Sequence, residues 1–159
     1  MSPTRSRAPF VRFWLAAVLF AALPGLASAQ RLDLSISPTT IPFAVADPDT
    51  VPIITSPAVQ VTYRIRQNNF NPWILSVLAG GDLVSGSATV DISNISWVAT
   101  PSPPFQGGVM SKTVPQRVAS GTGNVSNPSQ GQITFRLANS WNYAVGLYTQ
   151  TVVFTLTAP

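Results

Sequence analysis

Histidine, cysteine and glutamate are all absent from this sequence of 159 residues. Without histidine, no serine or cysteine nucleophile has an imidazole base. Without cysteine, neither a thiolate zinc site nor a disulfide can form. Without glutamate, a Glu pair for acid–base work is missing as well. The protein is therefore expected not to be an enzyme, with no catalytic residue, no metal site and no cofactor. Charge is scarce too: 9% of residues are ionisable side chains of Asp, Glu, Lys or Arg, and lysine occurs once, at Lys112. No block of clustered Lys and Arg stands in residues 30–159, so no nucleic acid or anionic lipid is expected as a partner.

Long apolar runs are missing as well. The nearest is Phe13 to Leu23, short of the ~18 residues that a spanning helix needs. It follows a basic stretch with Arg5, Arg7 and Arg12, and is broken by Pro24-Gly25. Ala27-Ser28-Ala29 then forms a small-residue cleavage site before Gln30. These are the parts of a secretory signal peptide in their proper order. The expected organisation is a leader over residues 1–29 and a single domain over residues 30–159, secreted or otherwise extracytoplasmic, with no transmembrane segment in the mature chain. Three arginines leave with the leader. What remains is Arg31, Arg64, Arg66, Lys112, Arg117 and Arg136 against Asp33, Asp47, Asp49, Asp82 and Asp91, a net charge of +1. An extracytoplasmic domain without disulfides must be held by its core packing.

What the chain does have is alternation. Arg31 to Ile36 places apolar residues at even positions and polar ones at odd positions, the period of a half-buried strand. Val59 to Arg66 repeats the pattern with Val59, Val61, Tyr63 and Ile65 inward. Trp73 to Ala79 puts Trp73, Leu75, Val77 and Ala79 on one face. A strand over Thr89 to Ala99 is anchored by Ile95 and Trp97, and a short edge strand is predicted over Thr113 to Ala119. Loops are predicted over Pro101 to Gly108 and Gly121 to Pro128. Ile133, Phe135 and Leu137 mark a further strand. Leu147 to Thr157 marks the last, with Tyr148, Val152, Phe154 and Leu156 sharing a face. With no helical period, the expected fold is an all-β, Ig-like β-sandwich of about seven to nine antiparallel strands.

Five residues are expected to hold that fold: Trp73, Leu75, Tyr148, Phe154 and Leu156. Gly146-Leu147-Tyr148 is placed as a tyrosine corner, whose hydroxyl bonds back across the preceding loop. Asp47 and Asp49 read as turn carboxylates, Lys112 as a solvated lysine, and Ser120 to Asn124 as a glycine-rich connection rather than a phosphate cradle. Asn94-Ile95-Ser96 and Asn124-Val125-Ser126 match the glycosylation acceptor pattern, the second in a predicted loop. Among the aromatics, Trp73 and Trp97 fall on apolar strand faces. Trp141 and Tyr143 fall in a connection, which makes them the candidates for partner binding.

Two family resemblances follow from short stretches. Trp73-Ile74-Leu75-Ser76-Val77 resembles the first motif of WxL-type bacterial cell-surface domains. The closing Gly146-Leu147-Tyr148 and Phe154-Thr155-Leu156-Thr157-Ala158-Pro159 resemble the second, with Phe154 where that motif has its Trp. This likeness implies a β-sandwich that associates non-covalently with the bacterial cell envelope, through cell-wall glycan or other surface proteins. The same ending is also similar to the C-terminal strand of spore-coat-U-like and chaperone–usher pilin subunits. That likeness implies self-assembly by strand donation, with Leu32, Leu34 and Ile36 of the N-terminal segment as the donor pattern.

Overall fold

The computed structural model describes residues 30–67 and 70–159. The leader expected over residues 1–29 lies outside the described residues, as do Asn68 and Asn69 of the turn before Pro72. In chain order the strands are β1 (Arg31–Ser37), β2 (Ile53–Thr55), β3 (Val59–Arg66), β4 (Pro72–Ala79), β5 (Leu83–Ser85) and β6 (Ala88–Val90). They continue as β7 (Ile95–Thr100), β8 (Gly108–Val109), β9 (Gln116–Thr122), β10 (Val125–Ala138) and β11 (Val152–Thr157). Seven of them have six residues or more; β2, β5, β6 and β8 are pieces of two or three. Their alternating side chains suit the pleat, in which successive residues face opposite sides.

Two antiparallel sheets pack face to face, as the alternation requires. One runs β1-β3-β10-β7-β8, with β2 pairing to β10 beyond the end of β3; the other runs β11-β4-β9. The order β1-β3-β10-β7 against β11-β4 corresponds to the A-B-E-D and F-C strands of an immunoglobulin constant domain. β5 and β6 form a small separate hairpin.

Four predicted boundaries move; the last strand, expected from Leu147, begins at Val152. The strand expected over Thr89 to Ala99 is split by a 3-10 turn at Ile92–Asn94, because the Asp91 carboxylate accepts the Ser93 N–H at 2.8 Å and caps it. The loop expected over Gly121 to Pro128 is mostly sheet. Only Gly123 and Asn124 separate β9 from β10, with Gly123 at φ +74°. A register shift between Val125 and Ser129 takes Pro128 into the strand without a ladder bond. The edge strand expected over Thr113 to Ala119 begins later, at Gln116, just past Pro115.

The core is centred on Tyr63. Its ring lies 4.9 Å from Trp73 and 5.7 Å from Phe105, tilted by 47° and 65°, within the favoured range for aromatic pairs. Val59, Val61, Ile65, Leu75, Val77, Val118 and Ile133 complete it, all fully buried. Each such side chain contributes about 1.5–3 kcal/mol on leaving water. Phe105 packs onto Gly131, where a Cβ would collide with the ring. Trp97 Nε1 donates to the Gln106 carbonyl at 2.9 Å. Trp73 Nε1 is buried without a partner among the described residues, which costs about 1–3 kcal/mol and is offset by the packing of the indole.

Candidate functional site: an open flank

The sandwich has two flanks, and they are built differently. On one, β8 and β9 face each other across the gap between the sheets. Phe105 forms a bridge to Ala119. The Gln106 N–H donates to the Val118 carbonyl at 2.8 Å, and the Ala79 N–H to the Ser111 carbonyl at 2.9 Å. This flank is closed, and Phe105, Met110, Val118 and Ala119 beneath it are buried.

The other flank lies between β1 and β11. Each of these strands is paired on one side only among the described residues, β1 to β3 and β11 to β4. Their inward side chains keep the predicted phase: Leu32, Leu34 and Ile36 from one strand, Val152, Phe154 and Leu156 from the other. All six pack against the core, yet all remain partly exposed. One end is pinned, where Gln30 Nε2 donates to the Ala158 carbonyl at 2.7 Å. The opposite end opens into a cavity of about 350 Å³, between the extended segment Thr39–Phe43 and residues Tyr148–Val152, with Ile95, Met110 and Phe135 among its lining. An apolar trough bordered by an unpaired strand edge is the geometry that accepts an added β-strand: backbone groups supply the ladder, and the trough takes alternate side chains.

Local chemistry fixes both walls. The Asp33 carboxylate on β1 receives Arg64 Nε at 2.8 Å and Nη2 at 2.6 Å from β3, with Arg31 Nε at 3.2 Å. The Arg64 bonds, then that of Arg31, hold its carboxyl below the ordinary aspartate range. At the head of β11, Tyr148 Oη donates to the Ala144 carbonyl at 3.0 Å, the bond expected of a tyrosine corner. Gln150 Nε2 donates to the Asp82 carbonyl at 2.6 Å, tying the approach to β11 onto the β4–β5 connection.

The residues singled out in the sequence fall in different places. Trp73 and Leu75 are buried; Tyr148, Phe154 and Leu156 are half-buried on the open flank. Trp141 stands out from its loop, its Nε1 bonded to Asp49 Oδ1 at 3.0 Å, whereas Tyr143 packs against the core. Burial raises the Tyr143 hydroxyl above its ordinary pKa. Lys112 Nζ sits 2.6 Å from Asp82 Oδ2 and 3.7 Å from Asp91 Oδ2, and the bond to Asp82 raises its pKa. Ser111 Oγ instead accepts the N–H groups of Thr113 and Val114. Among the described residues no cluster of three or more Asp, Glu, His or Cys could hold a metal ion, and no helix is long and apolar enough to cross a membrane. Sequence reasoning missed the placement of β1 and β11 as two walls of one trough. The signal was the strict alternation in both strands. No family model matches the chain, and no curated protein matches it.

Proposed function

We propose that this protein is a non-catalytic structural subunit of the extracytoplasmic space, which works by taking an extended strand from a partner chain along β11. The observation that supports this is the open flank: six apolar side chains alternating on β1 and β11, partly exposed beside an unpaired strand edge. The likeness to pilin and coat subunits points the same way. The WxL likeness, with its cell-envelope association, draws on Trp73. That side chain is buried in the core, so the likeness bears on fold more than on a contact surface.

Residues 31–37 pair with β3 along their whole length. Donating β1 to a neighbour would sacrifice that ladder and the Asp33–Arg64 bonds, so the reading favours an extended segment from another chain as the donor. The test uses a peptide of the residue 30–37 sequence, whose alternation suits the trough, beside a scrambled peptide. The expected result is slowed amide exchange along β11 and a rise in melting temperature of about 4 °C for each kcal/mol of binding. Unchanged exchange at β11 with saturating peptide would sink the reading. Salt-resistant pelleting with peptidoglycan by a protein that ignores the peptide would return it to the cell-wall module.

A further inference from the structure

The two ends of the sandwich carry opposite charge, and each exposes apolar side chains on ordered backbone. At one end the connections 38–52 and 139–151 are locked together. Asn139 Nδ2 donates to the carbonyls of Ala46 and Val51 at 3.0 Å each, and Asn139 N–H to that of Pro52 at 2.8 Å. With the Trp141–Asp49 bond, these hold four apolar side chains out in water: Val45 and Val145 fully exposed, Leu147 at 83% and Trp141 at 67%. Neither Lys nor Arg occurs in residues 38–58 or 137–159; near this end Arg136 on β10 and Lys112 stand against Asp47, Asp49, Asp82 and Asp91, which leaves it acidic.

At the other end Arg31 opens β1 and Arg66 closes β3, directly opposite each other in the ladder. Like charges so placed destabilise a strand pair. Asp33, bonded to both Arg64 and Arg31, offsets one of the three arginines and leaves this end positive. Phe70, 91% exposed, stands in the adjoining β3–β4 connection. An acidic end with protruding apolar side chains and a basic end with one of its own complement each other.

We infer that the acidic apolar end of one copy docks on the basic end of the next, head to tail. Such a contact is heterologous: it uses two different surfaces, so it propagates as a row instead of closing as a dimer. The Asp47 and Asp49 carboxylates disfavour an anionic membrane at the same end, and the arginines of a second copy suit them. Strand addition uses β11 and the trough; Val45, Trp141, Val145 and Leu147, the protruding side chains of the docking end, do not line the cavity at its mouth.

The test is sedimentation velocity of the purified protein over a concentration series at low and high salt, with two variants at exposed positions. Arg66→Glu cancels the net charge of the basic end, and Val145→Lys places a cation in the acidic one. The wild type should form species larger than dimers, weakened by salt. Each variant alone should raise the dissociation constant about tenfold. Mixing the two in equal amounts should restore association, because both contacts between unlike copies are then complementary: one joins two unaltered ends, and the other sets the introduced lysine against the introduced glutamate. A protein that stays monomeric throughout, or that associates equally well in both variants, would overturn the inference. Binding of the wild type to zwitterionic vesicles without self-association would also overturn it and assign the apolar end to lipid. Response to the strand peptide, read separately, stands or falls independently.

Discussion

The closed flank and the open flank are written in the same alphabet and end in different states. On the β8–β9 side, inward apolar residues are sealed by a cross-sheet bridge and by backbone bonds that run from one sheet to the other. On the β1–β11 side, the inward residues alternate just as strictly, yet they stay partly exposed: no cross-sheet bridge joins β1 to β11 among the described residues, and the Gln30–Ala158 bond pins one end. Alternation decides which way a side chain points. Whether it is buried depends on what covers it, and that is settled by segments far away in the chain.

The two flanks should differ most at their phenylalanines. Phe105→Ala removes a fully buried ring from beneath the closed flank and leaves a cavity against Tyr63 and Gly131, so a loss of about 3–5 kcal/mol is expected in chemical denaturation. Phe154→Ala on the open flank removes the same ring from a partly buried position. Its expected cost is about 1–2 kcal/mol, since part of the ring is in contact with water already. Equal losses at the two sites would erase the distinction between the flanks. Adding a strand peptide should widen the Phe154 loss and leave that of Phe105 alone.

The smallest effect concerns the β1 wall. The Asp33 pKa is depressed in the folded state by its bonds to Arg64 and Arg31. Its contribution to stability is therefore present above the unfolded aspartate value, near pH 3.9, and is lost as the pH falls through the depressed one. Asp33→Asn should flatten the acid limb of the stability curve below about pH 4, and melting temperatures measured across that acid range would show it. An acid limb as steep as that of the wild type would separate Asp33 from the stability of β1.

Much of this was legible in the sequence. The phase of β1, β3, β4 and β11 follows from period-two alternation, and the Tyr148 corner follows from Gly146-Leu147-Tyr148 before a strand. Phe105 was not legible. It sits in a proline-rich connection with no periodicity of its own, and it is buried because the loop folds back to bridge Ala119. The start of β10 through Pro128 was hidden for a related reason: a bulge lets a strand carry a residue that local rules assign to a loop. Phe154 shows the limit from the other side. Its phase was right, but its expected burial assumed a cover that β11 lacks among the described residues. Trp141 and Tyr143 look alike as loop aromatics, and only the tertiary structure sends one to solvent and the other to the core.

The unpartnered indole of Trp73 gives the protein a built-in colour contrast. An indole that donates no hydrogen bond and is shut away from water emits at the blue end of tryptophan fluorescence, whereas Trp141, reaching into water, emits at the red end. Quenching by a water-borne agent would extinguish the red component first, so one cuvette can follow the acidic end and the core as separate signals.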